Sequence, residues 1–390
     1  MSDPDAPAEV MIYVQHLLGI GHLRRAAAIA QATAEAGLST VLVSGGPTVP
    51  GLDSGDARLI QLPPLSAQDE SFAVLVDRNG RPVDEAYKTA RCAALLDLFD
   101  ALRPRILMTE MFPFGRRQMR FELLPLIERA RAARPRPSIL CSLRDVLTTH
   151  KKPGKTDWML ETFARLYDFA LIHGDPDILP LERSLPRATE IAGRLRYTGY
   201  VLEPPPAAHP SRDPSGEVIV STGGGAVAGP LIAAAMAARA LGPLADVPWR
   251  VLVGSALPEA AFRDFVACAP HGVTVERARP DFRALLTRAR LSISQGGYNT
   301  VMDVLAAKVP AVVVPFSTLG ETEQALRARV FAAKGLLRVV TEDPPSAEAV
   351  ARGVQEALNA PSRGLEGLRV DGAAETARIL AAVAGDRAVC

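Results

Sequence analysis

The chain has little that would staple it covalently. Its 390 residues hold four cysteines, Cys92, Cys141, Cys268 and Cys390. None stands in a CxxC pair or at a His/Cys metal spacing, which excludes a disulfide framework or a zinc ribbon as the organising device. They read as reduced thiols of a cytosolic protein. Charge of one sign is also lacking: the formal net charge is +1. Nothing global points to nucleic acid or to a strongly acidic partner. No apolar run approaches the length of a membrane span. The opening MSDPDAPAEV is acidic and rich in Pro and Ala, unlike a secretory signal. Residues 1–8 are expected to be disordered. These absences leave a peripheral membrane contact as the one membrane role still open.

What is present is a repeated local grammar. The length exceeds one usual domain, and a hydrophobic content of 48% is ample for two cores. Short apolar strands alternate with Ala-rich helices, the pattern of a parallel, doubly wound α/β sheet. VMIYVQ (Val10–Gln15) is the first strand, and HLLGIGHLRR leads into a helix over His22–Ala36. Residues 63–85 are polar and irregular around an Asn79-Gly80 turn, long for a structureless loop. EPPPAAHPSRDPSG (203–216) is Pro-rich and polar and reads as an interdomain linker. After it the strand–turn–helix grammar restarts. The expected organisation is a first domain over 9–202, the linker, a second domain over 217–370, and a C-terminal helix within 371–390.

The most informative stretch is 289–333, ARLSISQGGYNTVMDVLAAKVPAVVVPFSTLGETEQALRARVFAA. Leu291–Ser294 is a short strand. Gln295-Gly296-Gly297 lets the backbone turn sharply and approach a ligand. Asn299-Thr300 opens a helix whose first amides suit an anion, and Asp303 lies about one turn in. A second apolar strand, Val309–Pro315, precedes a polar loop that delivers Glu321, Glu323 and Gln324. Two loops therefore leave the same end of one sheet, where open α/β sheets bind ligands. An ordinary βαβαβ unit would account for the same residues.

Two further glycine turns repeat the theme. Gly19-Ile20-Gly21-His22 follows the first strand and sets His22 at a helix start. The positive helix end favours a neutral imidazole able to accept a proton. Arg24 stands where a dinucleotide fingerprint needs its third glycine, so that fold is disfavoured. Arg24 and Arg25 suit either a phosphate or water. Thr222-Gly223-Gly224-Gly225 aims amides at an oxyanion, and no Lys-Ser/Thr follows to make it a Walker A loop.

EMFPFGRRQMR (Glu110–Arg120) follows a strand of the first domain. Glu110, Arg116, Arg117 and Arg144 are candidates to grip an anionic acceptor such as a lipid phosphate, or a headgroup; a solvated helix entry is the alternative. Asp175-Pro176-Asp177 has the form of a DxD metal motif but reads as a turn, and no metal is expected.

These motifs resemble the C-terminal signature of GT-B glycosyltransferases, closest to the group of the peptidoglycan N-acetylglucosaminyltransferase (family 28 C-terminal type). GIGH also resembles the first glycine loop of related UDP-sugar hydrolases. The resemblance implies two Rossmann-like domains facing a central cleft, with the last helix packing back on the first domain. It implies a nucleotide-sugar donor, a UDP-sugar foremost, held by Gly21, Thr222, Gly223, Gly224, Gly225, Gln295, Gly296, Gly297, Asn299, Thr300, Asp303, Glu323 and Gln324. Asp303 matches the acid that takes the ribose hydroxyls, where the family more often has Glu. Glu323-Gln324 matches the pair that reads the sugar. Gly225 stands where the family usually carries serine. His22 matches a histidine at the reaction centre and becomes the candidate catalytic base. The acceptor would be a small molecule or a lipid-linked sugar. The nucleotide-sugar is a co-substrate, with no cofactor and no nucleic acid. A nucleotide-sugar hydrolase and a non-catalytic nucleotide-sugar-binding protein are the alternatives.

Overall fold

The structure, a computed structural model, describes residues 7–69, 72–147, 154–203, 216–223, 228–254, 257–316, 323–361 and 363–386. Most of the expected N-terminal disorder and of the 203–216 linker lies outside them. The chain forms two compact units, Met1–Glu203 with Leu368–Cys390, and Pro204–Gly367.

The first unit begins with β1 (Val10–Val14), α1 (Gly21–Glu35), β2 (Thr40–Ser44) and β3 (Arg58–Gln61). The polar stretch that follows is not structureless. It holds a small antiparallel pair, β4 (Ser66–Ala67) and β5 (Leu75–Val76), pinned by the buried Leu65, Ala67, Leu75 and Val76. Its Asn79-Gly80 tip turns on Gly80 (φ +74°) and on Asp77, whose carboxylate accepts from Asn79 N (2.8 Å) and Arg81 N (3.0 Å). Next come α2 (Glu85–Leu102), β6 (Ile106–Glu110), α3 (Arg120–Ala132), β7 (Ser138–Arg144), α4 (Lys155–Leu166), β8 (Phe169–His173) and β9 (Leu195–Tyr197). Asp84 caps α2 by accepting from Tyr87 N at 2.8 Å.

The seven long strands form one parallel sheet in the order β3-β2-β1-β6-β7-β8-β9. Its central strands are apolar on both faces because helices cover both; every residue of β1, β2 and β6 is buried. β9 is short, three residues. Gly199 turns the chain away (φ +87°), and Tyr200 N bonds to Arg369 O at 2.7 Å instead of to a strand.

The second unit carries β10 (Val218–Ser221), α5 (Gly229–Ala238), β11 (Trp249–Val253), α6 (Glu259–Ala267), β12 (Val273–Arg277) and α7 (Phe282–Arg288). It continues with β13 (Leu291–Ser294), α8 (Tyr298–Ala306), β14 (Ala311–Val313), α9 (Glu323–Ala333), β15 (Arg338–Val339) and α10 (Ala347–Asn359). The sheet order is β12-β11-β10-β13-β14-β15, all parallel. β14 is shorter than the apolar run around it because Pro310 and Pro315 have no amide to give the ladder. The last helix, α11 (Gly372–Asp386), belongs to the first unit and packs on α1. At this contact Ala26, Ala27 and Ala30 of α1 are buried in one cluster with Leu380 and Ala384 of α11.

Both sheets reverse their strand order once, between β1 and β6 in the first unit and between β10 and β13 in the second. Loops diverge at such a point and leave a crevice at the carboxyl ends of the strands. The turns that follow β1, β10 and β13, with Gly19 and Gly21, Gly223, and Gly296 and Gly297, lie at these two points. No helix among the described residues is long and apolar enough to cross a membrane.

Candidate functional site

In the first unit, the turn after β1 delivers His22 to the second position of α1, and β6 ends on Glu110 beside it. His22 Nδ1 lies 2.9 Å from Glu110 Oε1. Arg25 Nη2 donates to the same oxygen, and Ser142 Oγ, near the end of β7, donates to Oε2. Glu110 is 1% exposed. Burial alone would raise its pKa. The charge of Arg25, then the hydrogen bond and charge of His22, outweigh burial and hold the carboxyl below its ordinary range. Arg25 has turned inward and is itself buried, so it neutralises Glu110 rather than facing water or a phosphate. Arg24 is half-exposed, 3.7 Å from Glu203.

An ionised carboxylate and a guanidinium leave no choice about the proton between Glu110 and His22. The carboxylate only accepts, so the 2.9 Å contact requires N–H at Nδ1. Arg25 Nη2 also lies 3.3 Å from Nδ1, a longer approach that follows from both groups converging on one oxygen. The lone pair of His22 is therefore on Nε2. Burial first, and then the charge of Arg116, push the His22 pKa well below 6.5, while Glu110 opposes this and Arg144 adds to it. The imidazole is neutral, as the sequence suggests, but the cause is burial among arginines more than the helix end.

Four residues singled out by sequence meet here: His22, Glu110, Arg116 and Arg144. Arg116 adopts a left-handed backbone (φ +56°) and donates Nε to Gln15 O at 2.8 Å. Burial and the neighbouring Arg144 lower its pKa to about 10. Arg117 is not part of the group. It is exposed and stacks on Trp158 of α4, 4.9 Å from the ring centroid. Glu110 has a place other than the one expected of an acceptor grip, since both its oxygens are spent on protein donors. Asp175 and Asp177 form a turn: Asp175 Oδ1 accepts from Asp177 N at 3.0 Å, and Arg369 pairs with Asp177 at 2.7 Å.

Sequence reading misses the buried Arg91–Glu122 pair behind this site. Arg91 Nε and Nη2 bond to the two Glu122 oxygens at 2.7 and 3.0 Å. Nη2 also reaches Gln15 Oε1 (2.8 Å), and Nη1 reaches Gly45 O (2.9 Å). One guanidinium thereby ties the loops after β1 and β2. A charged pair at helical positions has no local signal that separates it from a solvated face.

In the second unit, β10 is followed by Thr222, which is buried and ties the turn to the end of β11: Gly254 N donates to its Oγ1 at 3.2 Å. Gly223 turns with φ +64°. Gly224 and Gly225 lie outside the described residues. After β13, Gly296 needs its glycine twice over. Its φ is +78°, and a Cβ there would sit 2.4 Å from Val313 Cγ1. Gly297 is the N-cap of α8 and supplies no capping side chain; a Cβ on it would meet open space. Gln295, Asn299 and Thr300 line this turn and the first turn of α8, half-buried.

The two acids near this turn, Asp303 and Glu323, are paired within the unit. Asp303 Oδ1 lies 3.1 Å from Arg283 Nε of α7. Glu323 opens α9, buried, 2.8 Å from Arg327 Nη2. Arg327 is fully buried, lies over the Tyr298 ring and approaches Gly296 O at 3.4 Å. It links Glu323 to the glycine turn and is the residue that sequence reading misses here; its i,i+4 spacing to Glu323 is the available signal. Gln324 Oε1 accepts from Phe316 N at 3.0 Å and so fixes the exit of β14. The glycine turn, Glu323 and Gln324 are thus brought together, with Asp303 one turn along α8.

Residues 218–374 match the family model described as the glycosyltransferase family 28 C-terminal domain. A UDP-N-acetylglucosamine--N-acetylmuramyl-(pentapeptide) pyrophosphoryl-undecaprenol N-acetylglucosamine transferase of Sinorhizobium fredii is 32% identical over 106 residues. That match takes in 26% of this chain and 28% of the relative's length. Among solved structures, Os79 from O. sativa in complex with UDP superposes with a TM-score of 0.60 at 14% identity, covering 96% of this chain and 100% of that one. Spinosyn rhamnosyltransferase SpnG complexed with thymidine diphosphate superposes at 0.56 and 16% identity, covering 97% and 96%. The chain has the fold of these structures, the GT-B fold with two Rossmann-like domains.

Proposed function

We propose that the protein is a glycosyltransferase that moves a sugar from a nucleotide-sugar, best read as a UDP-sugar, to an acceptor hydroxyl. The observation that carries this reading is the His22–Glu110 contact of 2.9 Å at the switch point of the first unit. It leaves Nε2 as a free base beside a buried carboxylate able to stabilise the imidazolium. The acceptor hydroxyl gives its proton to His22 Nε2 as its oxygen bonds to the anomeric carbon. The bond from that carbon to the diphosphate breaks, and the nucleoside diphosphate leaves. One displacement inverts the anomeric centre. Glycine-turn amides and the start of α8 stabilise the departing charge, so the step needs no metal.

The second unit binds the donor. Asp303 exchanges Arg283 for the ribose hydroxyls, and Glu323-Gln324 reads the sugar. The Sinorhizobium relative is named for a pyrophosphoryl-undecaprenol substrate, and Arg116 and Arg144 suit an acceptor of similar charge, met at the cytoplasmic face of a membrane. A panel of nucleotide-sugars in thermal denaturation tests the donor assignment, since a ligand of the native state alone raises stability by about 2.7 kcal/mol at a hundred times its Kd. UDP-sugars should shift the transition most. Equal shifts from ATP would overturn the assignment. Rapid turnover without any acceptor would replace the transferase by a hydrolase.

A further inference from the structure

Glu110 is supported from behind by groups that the catalytic proposal does not use. Ser142 Oγ, which donates to Glu110 Oε2, lies 3.0 Å from His173 Nε2 at the end of β8. His173 Nδ1 lies 2.9 Å from Thr198 Oγ1, just past β9. Ser142, His173 and Thr198 are all buried. The chain of contacts therefore crosses the carboxyl ends of four adjacent strands, β6 to β9.

We propose that His173, acting through Ser142, is a positioning residue that holds the Glu110 carboxylate as an anion aimed at His22, with every proton in the chain directed toward Glu110. The inference rests on the reading of His22 as the base. Its argument is one of proton counting. Ser142 has one proton, and an ionised Glu110 must receive it. Ser142 Oγ must then accept from His173, which makes His173 the Nε2–H tautomer. His173 Nδ1 then accepts from Thr198. The alternative acceptors for the Thr198 proton, Gly199 O at 3.1 Å and Ile172 O at 3.3 Å, are more distant than Nδ1. The reverse direction would have Ser142 donate to His173 and would leave Glu110 needing a proton of its own. Arg25, on the other oxygen of Glu110, opposes that. Burial also pushes the His173 pKa down to about 3, with the Arg25 charge adding to it, so the ring carries a single N–H near neutrality. A buried network of this kind is stable only when every member is satisfied, which binds the orientation of Glu110 to the far end of the chain.

The test is nitrogen NMR of the full chain labelled with 15N-histidine. Its six histidines are few enough to assign by substitution, and the long-range spectrum reads tautomers without any substrate. His22 should carry its proton on Nδ1 and His173 on Nε2. In His173→Leu, the His22 ring should become a mixture of tautomers, and kcat should fall at least about tenfold with KM within about twofold. His173→Gln, whose amide N–H takes the place of Nε2–H, should restore both. A wild-type His173 protonated on Nδ1 would overturn the proposal. So would a folded His173→Leu protein with an unchanged His22 tautomer and kcat. If His173→Leu does not fold, Thr198→Val removes the distal donor and must shift the His173 resonances and lower kcat; no change in either overturns the proposal. Should His22→Ala keep full turnover while the His22 tautomer still follows His173, the base assignment fails and the positioning network stands.

Discussion

At the switch point of the first unit β6 and β8 end in Glu110 and His173, Ser142 lies two residues before the end of β7, and the adjoining helix contributes His22 and Arg25. At that of the second unit the strands run out into Ser221-Thr222-Gly223 and into Ser294-Gln295-Gly296-Gly297. The topology is the same, and the two crevices are furnished in different ways. One is lined with ionised and titratable side chains that bond to one another. The other presents backbone, and its charged side chains, Asp303 and Glu323, are held on arginines at 3.1 and 2.8 Å. Proton transfer needs a group with a defined pKa and tautomer, which only side chains supply. Holding a diphosphate needs several amides at fixed places, which glycine turns and helix starts supply. On the proposed function, the contrast would give proton transfer to the first unit and the diphosphate to the second.

The comparison is tested most severely at His22. If the first unit is the proton-transfer half, His22→Ala should lower turnover about 10²–10⁴-fold and leave nucleotide-sugar affinity within a few fold. Calorimetric affinities beside steady-state rates separate the two effects; a matching loss of affinity would place His22 on the donor and break the division of labour. Asp303→Ala addresses the other half. Removing the charged acceptor of two ribose hydroxyls should cost roughly 1.5–3 kcal/mol, about ten- to a hundredfold in nucleotide affinity, and the loss should shrink for a 2′,3′-dideoxy nucleotide. Equal losses with both ligands would mean that Asp303 serves only its ion pair with Arg283.

The comparison also bears on the acid response of the fold. The first unit contains three histidines with lowered pKa values, the buried His16 at about 4 and the partly buried His22 and buried His173 each at about 3, desolvation being the first cause in all three. The unfolded chain binds their protons near pH 6.5 and the folded chain does not. Stability is therefore fully present above about 6.5 and is lost as pH falls toward the folded values, by at most about 1.4 kcal/mol per histidine per pH unit. The chain has two tryptophans, Trp158 in the first unit and Trp249 in the second. With 5-fluorotryptophan, the fluorine resonance of Trp158 should lose its native position at a higher pH than that of Trp249. Simultaneous loss, or Trp249 first, would show that these histidines do not set the acid limit. The same lowered pKa of His22 should keep catalysis active at pH 5.5, where an ordinary imidazole would be about 90% protonated.

Much of this molecule is legible along the chain because it is local. A run such as Val10–Val14 or Leu291–Ser294 is apolar on both faces and short, and it can be little else than a covered parallel strand. Gly296 announces a turn because no other residue suits φ +78° with Val313 against it. His22 and Asp303 were visible from their distance to those turns. The partners were not. Glu110 is 88 positions from His22, and Arg25 is 85 from Glu110. Whether Arg25 faces water or a carboxylate depends on β6 lying beside β1, a consequence of the crossover order. Local composition carries no record of that order, because strands of equal apolarity are interchangeable until their helices pack. The same holds for Arg91 with Glu122 and for Arg327 beneath the glycine turn. Periodicity and turn chemistry determined the elements and the positions of the loops. Long-range pairing of buried charges, settled only when each sheet is covered by its own helices, decided which of those loop residues come together.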